Sequence, residues 1–326
     1  MSIIILNRKI IEPSRELVVC NEVSGQFIAT LWNPQHGVKM RVATPNLVLN
    51  GGLDRLATWS SSSDAINHCQ IGTSSTAVVA TQSALSSWLA NSDTLQGAPV
   101  NTYVAGPPDY LQRIKTFRFA AGVGTGNLAE VGVGWGSSGS TLFSRALFLD
   151  GVGSPIVIPK TSIDILDISY VLRVYPMAAD VTGSITISGT SYDYTIRAAT
   201  VSNTTGPHSA EAYAYGYAFN QDTQYGRMVS YTTDLVARTA SIYDGIDSAA
   251  ANVSASPSRS TYGAGNFYRD TTGVFGIDKA NGNIKRVCFG GVWYYSAYQC
   301  AFASPIVKDN TQSLSLTFRQ SWARRP

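Results

Sequence analysis

The segment SITISGTSYDYTIRA (residues 184–198) alternates β-branched or aromatic side chains with small polar ones on both sides of a glycine. A period of two places successive side chains on opposite faces of a strand. Two alternating runs around a glycine-containing connection therefore predict a β-hairpin. The side chains that we expect to recur in contact within it are Ile185, Ile187, Tyr192, Tyr194 and Ile196.

Runs of the same kind recur along the chain and are bounded by Gly or Pro at intervals of roughly 8 to 15 residues. They are Ile3–Leu6, Leu17–Val23, Phe27–Trp32, Val38–Ala43, 117–119, 131–135, 142–149, 156–158, 164–176 and 312–322. Because no long helical crossover separates them, an antiparallel sandwich is favoured over a parallel α/β sheet. The sequence predicts a mainly β fold with two antiparallel β-sandwich-like modules and one short helix in the first.

The expected helix lies near 81–90, TQSALSSWLA, where Thr81 can cap the first turn. Its apolar stripe consists of Leu85, Trp88 and Leu89, at the i, i+3 and i+4 spacing of an amphipathic helix. A shorter helix within 46–59 is a weaker candidate, because Gly51 and Gly52 interrupt it.

The predicted division has three regions. Residues 1–45 form N-terminal strands, 46–176 form a β-sandwich with the short helix, and 177–326 form a second β module. Within the last region, 244–266 is small and polar without a period, which predicts a long mobile loop. The pair Asn281-Gly282 is the strongest short hairpin signal.

Composition limits the classes of function. Of the 326 residues, 44% are hydrophobic and only 14% are charged, against roughly 25% charged in a typical domain, which excludes a charge-driven disordered chain. The net charge of +3 is too small and dispersed for a phosphate-binding face, so nucleic acid is not an expected partner. The chain has 37 Ser, 28 Thr and 17 Tyr, which is typical of a hydroxyl-rich β surface.

The N-terminal apolar run is too short for the core of a signal peptide, and no segment approaches the roughly 18 apolar residues of a membrane span. We expect neither export by that route nor membrane insertion. The four cysteines, which lack C-x-x-C spacing, are expected to be reduced and to act as small core hydrophobes. They are Cys20, Cys69, Cys288 and Cys300. Residues 279–326 carry seven basic side chains and one acidic one, which predicts that this end packs beside or docks on acidic surface of the same assembly. The alternative is that Arg324 and Arg325 are a solvated terminus.

Two glycine motifs resemble nucleotide-binding fingerprints. The first, GTGNLA at 124–129, is followed by the strand-like VGVGW instead of the helix that a pyrophosphate site needs. The second, at Gly134, Gly136 and Gly139, is followed by Ser and Gly. A glycine-rich hairpin turn explains both better, and no cofactor is expected.

Metal-ligand patterns are weak. The histidines at positions 36, 68 and 208 lie far apart and have no partner at ligand spacing, apart from the adjacent His68-Cys69. The segment DKANGN (278–283) has its glycine one position too early for a calcium loop and lacks the closing Glu, so a turn is favoured.

Catalytic patterns are weak as well. There is no G-x-S-x-G, and Asp164 and Asp167 are three apart, on opposite faces of a predicted strand, which makes them poor glycosidase carboxylates. We therefore predict no catalytic residues and no enzymatic activity.

Aromatic and hydroxyl side chains suit carbohydrate or protein contact. The segment AEAYAYGYAF (210–219) would place Tyr213, Tyr215, Tyr217 and Phe219 on one strand face, where half-buried packing competes with a ligand platform.

Four stretches together resemble a family of tailed-bacteriophage virion proteins from the tail tip, baseplate or tail fibre. They are RVATPNLVLNGGLDRL (41–56), CQIGTSSTAVVATQSALSSWLA (69–90), EVGVGW with LFSRALFLDGVGSPIVI (130–158), and DILDISYVLRVYP with VTGSITISGTSYDYTIRAA (164–199). The resemblance covers about residues 40 to 200. Ser74 stands where the family has a second glycine, and Val78 or Val79 where it has a proline.

The resemblance implies a structural component of a phage tail, oligomeric around the tail axis and assembled in the bacterial cytoplasm, without a catalytic centre. Its partners would be copies of itself, other tail proteins and a host surface glycan or protein receptor. The resemblance also implies that residues 1–45 are an attachment arm, that 46–176 are the assembly module and that 177–326 are the distal or receptor-facing module. Two alternatives stay open, a carbohydrate-binding or adhesin-type β module outside a virion and a polysaccharide-degrading enzyme.

Overall fold

The computed structural model of the chain describes residues 9–11, 17–57, 64–104, 106–199, 228–237, 254, 258–292 and 296–326. The predicted runs at Ile3–Leu6 and 210–219, with their tyrosines, lie outside these residues. Within them strands dominate and a single helix occurs, which confirms the mainly β prediction.

The first thirteen strands and the helix are β1 Lys9–Ile11, β2 Leu17–Asn33, β3 Gly37–Pro45, β4 Leu47–Val48, α1 Asn50–Leu56, β5 His68–Gly72, β6 Trp88–Ser92, β7 Val100–Val104, β8 Tyr110–Phe119, β9 Gly126–Leu128, β10 Glu130–Gly134, β11 Leu142–Leu147, β12 Ile158–Lys160 and β13 Ile165–Tyr175. The remaining strands are β14 Val181–Ile187, β15 Thr190–Ala199, β16 Met228–Tyr231, β17 Ser258–Arg259, β18 Tyr268–Phe275, β19 Gly282–Val292, β20 Ser296–Lys308 and β21 Gln312–Arg324.

Two compact units share the chain. Unit I comprises Glu22–Tyr175, Ala264–Phe267 and Trp322–Pro326, and unit II comprises the described residues of Met1–Asn21, Pro176–Gly263 and Tyr268–Ser321. The units interleave along the sequence, whereas the division at 45 and 176 uses contiguous segments. The assembly roles of those segments stay predictions.

Unit I contains five antiparallel strands of a larger sheet and, separately, a five-stranded antiparallel sheet. In the first, β13 pairs on one side with β2 and on the other with β8, giving the order β3-β2-β13-β8-β7. The second has the order β4-β11-β10-β5-β6. Tyr170 of β13 is fully buried against Phe27, with ring centroids 4.9 Å apart, and its hydroxyl accepts a hydrogen bond from Asn46. These contacts belong to a sandwich-like core.

The helix of unit I, α1, is the weaker of the two sequence candidates. Its paired glycines do not interrupt it. A Cβ on Gly52 would collide with the backbone of Phe143 in β11, so glycine lets the helix lie directly against that strand. Leu53 and Leu56 are buried on the same side.

The helix predicted near 81–90 is wrong. Residues 81–87 are irregular, and Trp88–Ser92 form β6. The backbone of this segment is hydrogen-bonded to distant residues instead of to itself, because Leu85 N donates to Gly139 O and Ser86 N and Ser87 N donate to Glu130.

Unit II contains a sheet in which β21 pairs with β18 and, in parallel, with β1, and a second sheet of order β14-β15-β20-β19-β16. Its core includes the stacked rings of Phe289 and Phe318, whose centroids lie 3.4 Å apart. The predicted hairpin is confirmed as β14–β15, in which Ile185 pairs with Tyr192. All five expected side chains belong to this core or pack against it.

Two turn predictions in unit II need correction. Asn281-Gly282 does not close a hairpin, because β18 and β19, which it connects, belong to different sheets. Of the predicted loop 244–266, residues 244–253 and 255–257 lie outside the described residues, whereas Ser258–Arg259 form β17, which pairs with Thr271 and Thr272.

The C-terminal residues Trp322–Pro326 belong to unit I and are bonded to its other residues, so the alternative of a solvated terminus is wrong. Trp322 is buried and donates its indole N–H to Leu53 O over 2.9 Å. Arg324 donates to Val48 O and to the Asn50 side chain. Arg325 donates to Glu22 over 2.8 Å.

The prediction that the four cysteines are core residues is wrong for one of them. Cys69, Cys288 and Cys300 are buried, but Cys20 is exposed. None of the helical structure in the described ranges is long or apolar enough to cross a membrane.

Candidate ligand-binding groove

The hairpin β14–β15 presents polar side chains on the face opposite its core residues. Thr182 lies opposite Thr195, and Ser184 lies opposite Asp193. Side chains directly opposite on antiparallel strands have Cβ atoms about 4.5–5.5 Å apart, so these four form a compact two-by-two array. Alternation forces this placement, because Ile185 and Ile196 occupy the buried face.

The next strand, β20, continues this face with small residues. Ala301 lies opposite Thr195, and Ala303 follows on the same side two residues later. Small side chains here leave a depression, and a groove of about 600 Å³ lies along this face.

One wall of the groove is the segment that follows β16. Gln299 is fully buried beneath it and holds Val236 by two hydrogen bonds, donating to its carbonyl over 2.9 Å and accepting from its N–H over 3.0 Å. Arg197 adds a bond to Val236 O, and Arg286 donates to Asp234 O. These bonds fix the segment so that Asp234 and Leu235 line the groove.

The groove has acidic character. Asp193 and Asp234 line it, and none of the Lys or Arg residues that the structure describes does. Lys285 lies beside it and pairs with Asp234 over 3.2 Å. Arg197 is held by Asp180 through two bonds, which raise the pKa of Arg197 above its ordinary value. The carboxylate of Asp193 has no protein partner within the described residues.

None of the sequence motifs predicts the polar residues of the groove as a site. Alternation in 184–198 does place Asp193 and Thr195 opposite the core face, so that pattern could have found two of them. The wall could not be found this way, because it depends on Gln299 reaching Val236 from 63 positions away.

The carboxylates that the sequence singled out lie elsewhere and are neutralised separately. Asp164 precedes β13, is fully buried and accepts hydrogen bonds from Thr161, Lys39 and Asn33. The hydrogen bonds, led by that of the Thr161 hydroxyl, hold the pKa of Asp164 well below its ordinary value.

Asp167 binds Arg118 through two bonds of 2.7 and 2.6 Å and also accepts from Trp32. The hydrogen bonds that Arg118 donates to Asp167 raise the pKa of Arg118 above its ordinary value. With both carboxylates tied to cations, the structure does not bring Asp164 and Asp167 together as an acid and base pair.

The predicted hairpin turn is confirmed for the second glycine motif, which connects the paired strands β10 and β11. It is wrong for the first, because β8 and β9 belong to different sheets, although Gly124 lies in a turn and Gly126–Leu128 form strand β9 instead of a helix. It is wrong for 278–283 as well, where the ammonium of Lys308 donates to the Asn281 oxygen over 2.7 Å. Burial lowers the pKa of Lys308, while Asp278 and Asp309 oppose that shift.

The histidines are not brought together. His36 is exposed in the turn between β2 and β3, His68 begins β5, and His208 lies outside the described residues. Among the residues with described positions, no group of three His, Cys, Asp or Glu side chains could hold a metal ion.

A second polar cluster lies in unit I and is buried. Arg145 of β11 and Glu130 of β10 are both fully buried, and the guanidinium donates to the carboxylate over 2.7 and 2.9 Å. Glu130 also accepts from the backbone N–H groups of Ser86 and Ser87 over 3.1 and 2.7 Å.

The remaining donors of Arg145 hold the loop that connects β5 and β6. They reach Thr76 O over 3.0 Å, the Gln82 side chain over 2.7 Å and the Ser86 hydroxyl over 3.2 Å. Gly72, at the start of the loop, has no room for a side chain, since a Cβ would lie 2.6 Å from Glu130 Oε1. The Glu130–Arg145 pair is thus a structural support for residues 73–87.

Comparisons of the chain with protein-family models, with curated proteins and with solved structures found no match.

Proposed function

We propose that the chain is a structural component of a bacteriophage tail, from the tail tip, baseplate or fibre, and that it takes part in attachment to the host. Its partners would be further copies of itself and other tail proteins, and it would reside in the virion after assembly in the host cytoplasm.

The observation that carries the proposal is the Glu130–Arg145 pair. Glu130 begins the EVGVGW stretch, Arg145 belongs to LFSRALFL, and the loop that both hold belongs to CQIGTSSTAVVATQSALSSWLA. Three of the stretches that resemble tail proteins are therefore joined by one buried cluster. This supports treating them as one inherited structural element instead of three chance similarities.

A second observation supports an attachment role over catalysis. The groove of unit II offers hydroxyl and carboxylate groups along a β face, whereas the sequence-predicted carboxylates Asp164 and Asp167 are each bound to a cation. An open polar groove suits reversible binding.

The proposal is tested by purifying tailed particles from a culture whose bacterial host carries the coding sequence and searching them for peptides of the chain by mass spectrometry. We expect the chain in fixed stoichiometry with the other tail proteins. Its absence from intact particles would overturn the proposal.

The alternative is a carbohydrate-binding module outside a virion, which the groove favours equally. Light scattering of the purified chain separates the two, because a tail component is expected at a multiple of 34.9 kDa and an isolated module at 34.9 kDa.

A further inference from the structure

Four polar side chains of the groove are left without protein partners among the described residues. Thr182, Ser184, Asp193 and Thr195 make no side-chain hydrogen bond or ion pair within the described residues, although they stand next to one another. A ligand that enters the groove meets four hydrogen-bonding groups that need not break a protein contact first.

The kinds of group present restrict the chemistry of that ligand. A carboxylate only accepts hydrogen bonds, and a threonine or serine hydroxyl both donates and accepts. The matching ligand therefore carries several neighbouring groups that donate as well as accept, which is the chemistry of a polyol. Hydrogen bonds from a hydroxyl to an ionised carboxylate are short and strong. Asp193 should therefore contribute more to the binding free energy than any one of the three hydroxyl groups.

Charge narrows the class further. Asp193 and Asp234 repel an anionic ligand, and two cations beside the groove are already paired, Lys285 with Asp234 and Arg197 with Asp180. Ala301, Ala303 and Leu235 add apolar surface that fits the C–H face of a sugar ring.

We infer that the groove of unit II binds a neutral saccharide, with Asp193 as the principal acceptor and Thr182, Ser184 and Thr195 as flanking hydroxyl contacts. The inference deepens the proposed attachment function, on which its biological meaning rests, because it names the class of receptor.

The test uses the full chain and saturation-transfer NMR, with isothermal titration for any saccharide that gives a signal. The probes are neutral trisaccharides of glucose, galactose and N-acetylglucosamine, an acidic trigalacturonate and a cationic glucosamine trimer, at equal concentrations. We expect binding of at least one neutral probe and none of the acidic one.

Variants then locate the binding. D193A is expected to weaken it at least tenfold, T195V by threefold to tenfold, and A301F, which fills the groove, to abolish it. Two matched controls should bind as the unchanged chain does. D93N alters an exposed carboxylate of unit I, and T186V alters an exposed threonine of β14 outside the groove.

The inference is overturned if no neutral probe binds, if only the cationic probe binds, or if binding survives both D193A and A301F. Because Asp193 and Thr195 lie on the surface, D193A and T195V retain the fold, as their circular-dichroism melts should show. The test therefore holds even if A301F does not fold.

The failure of this inference can be told from that of the proposed function. Saccharide binding that D193A abolishes, in a chain absent from tailed particles, supports the groove and overturns the tail assignment. A chain that is present in tailed particles but binds no saccharide supports the tail assignment and overturns the inference about the groove.

Discussion

The two units each contain a five-stranded antiparallel sheet with polar side chains on one face, but these side chains are used differently. In unit I the sheet β4-β11-β10-β5-β6 carries Glu130 and Arg145, which are fully buried and bonded to the loop 73–87. In unit II the sheet β14-β15-β20-β19-β16 carries Asp193 and its neighbours, which line an open groove.

Burial explains the difference. A buried charge that loses its partner destabilises the folded state. Folding therefore requires that the donors of a buried group such as Arg145 all have hydrogen-bond partners. A solvated carboxylate such as Asp193 costs little when left unpaired, so it is available to a ligand. The comparison teaches that, in this chain, polar groups beneath a loop serve stability and polar groups in the groove serve binding.

The largest expected effect is that of R145M. It leaves the Glu130 carboxylate buried without its cation and removes the bonds to the loop, so we expect a loss of about 5 kcal/mol in the free energy of unfolding, measured by urea denaturation. The control is R118M, whose pair with Asp167 is partly exposed and should cost about 1 kcal/mol or less. Equal losses in the two variants would contradict the assigned role of burial.

The next effect concerns the C-terminal segment of unit I. W322A empties a buried site and removes the bond to Leu53 O, and we expect a loss of about 4 kcal/mol in unfolding free energy. W88A is the matched control, since Trp88 is 45% exposed, and should cost less than half as much. A harmless W322A would show that the docked C-terminus does not stabilise unit I.

A smaller, pH-dependent effect is expected for Asp164. Its folded pKa lies below the ordinary value, so its contribution is fully present above about pH 4 and is lost as the pH falls through the folded pKa. D164N should cost about 2 kcal/mol at pH 7, and this deficit should shrink below about pH 4. Thermal melts from pH 2 to 7 measure it, with D193N as a control. A deficit that stays constant at every pH would contradict the lowered pKa of Asp164 in the folded state.

The smallest effect is expected in the groove. D193N and T195V should change the unfolding free energy by no more than about 0.5 kcal/mol, because these side chains bond to nothing in the described protein. Urea denaturation beside R145M checks this. A loss above about 2 kcal/mol in either variant would mean that the groove residues are structural and would remove the contrast between the two sheets.

Local patterns predicted about half of the strands, because alternation and β-branched residues act within a few positions, and they missed β5, β7, β18 and β20 among others. The hairpin at 184–198 and strand β13 follow from this alone. Gly25, in contrast, was expected to separate two strands, yet β2 runs through it without interruption.

The errors arise where distant residues override local preference. The segment 81–90 has a helical stripe, but the carboxylate of Glu130 takes the N–H groups of Ser86 and Ser87, which a helix would need. At α1 the opposite error occurs, since Gly52 weakens the helix locally but permits its contact with Phe143. Neither Glu130 nor Phe143 is visible within the local window.

The central claim is that ligand contact occurs in the groove of unit II and that the polar cluster of unit I is structural. It is tested most directly by alanine and threonine methyl NMR of the full chain during titration with the best neutral saccharide. The account predicts shifts at Thr182, Thr195, Ala301 and Ala303, with none at Thr76 or Ala77 in the loop of unit I. Shifts confined to that loop, with the groove methyls unchanged, would contradict it.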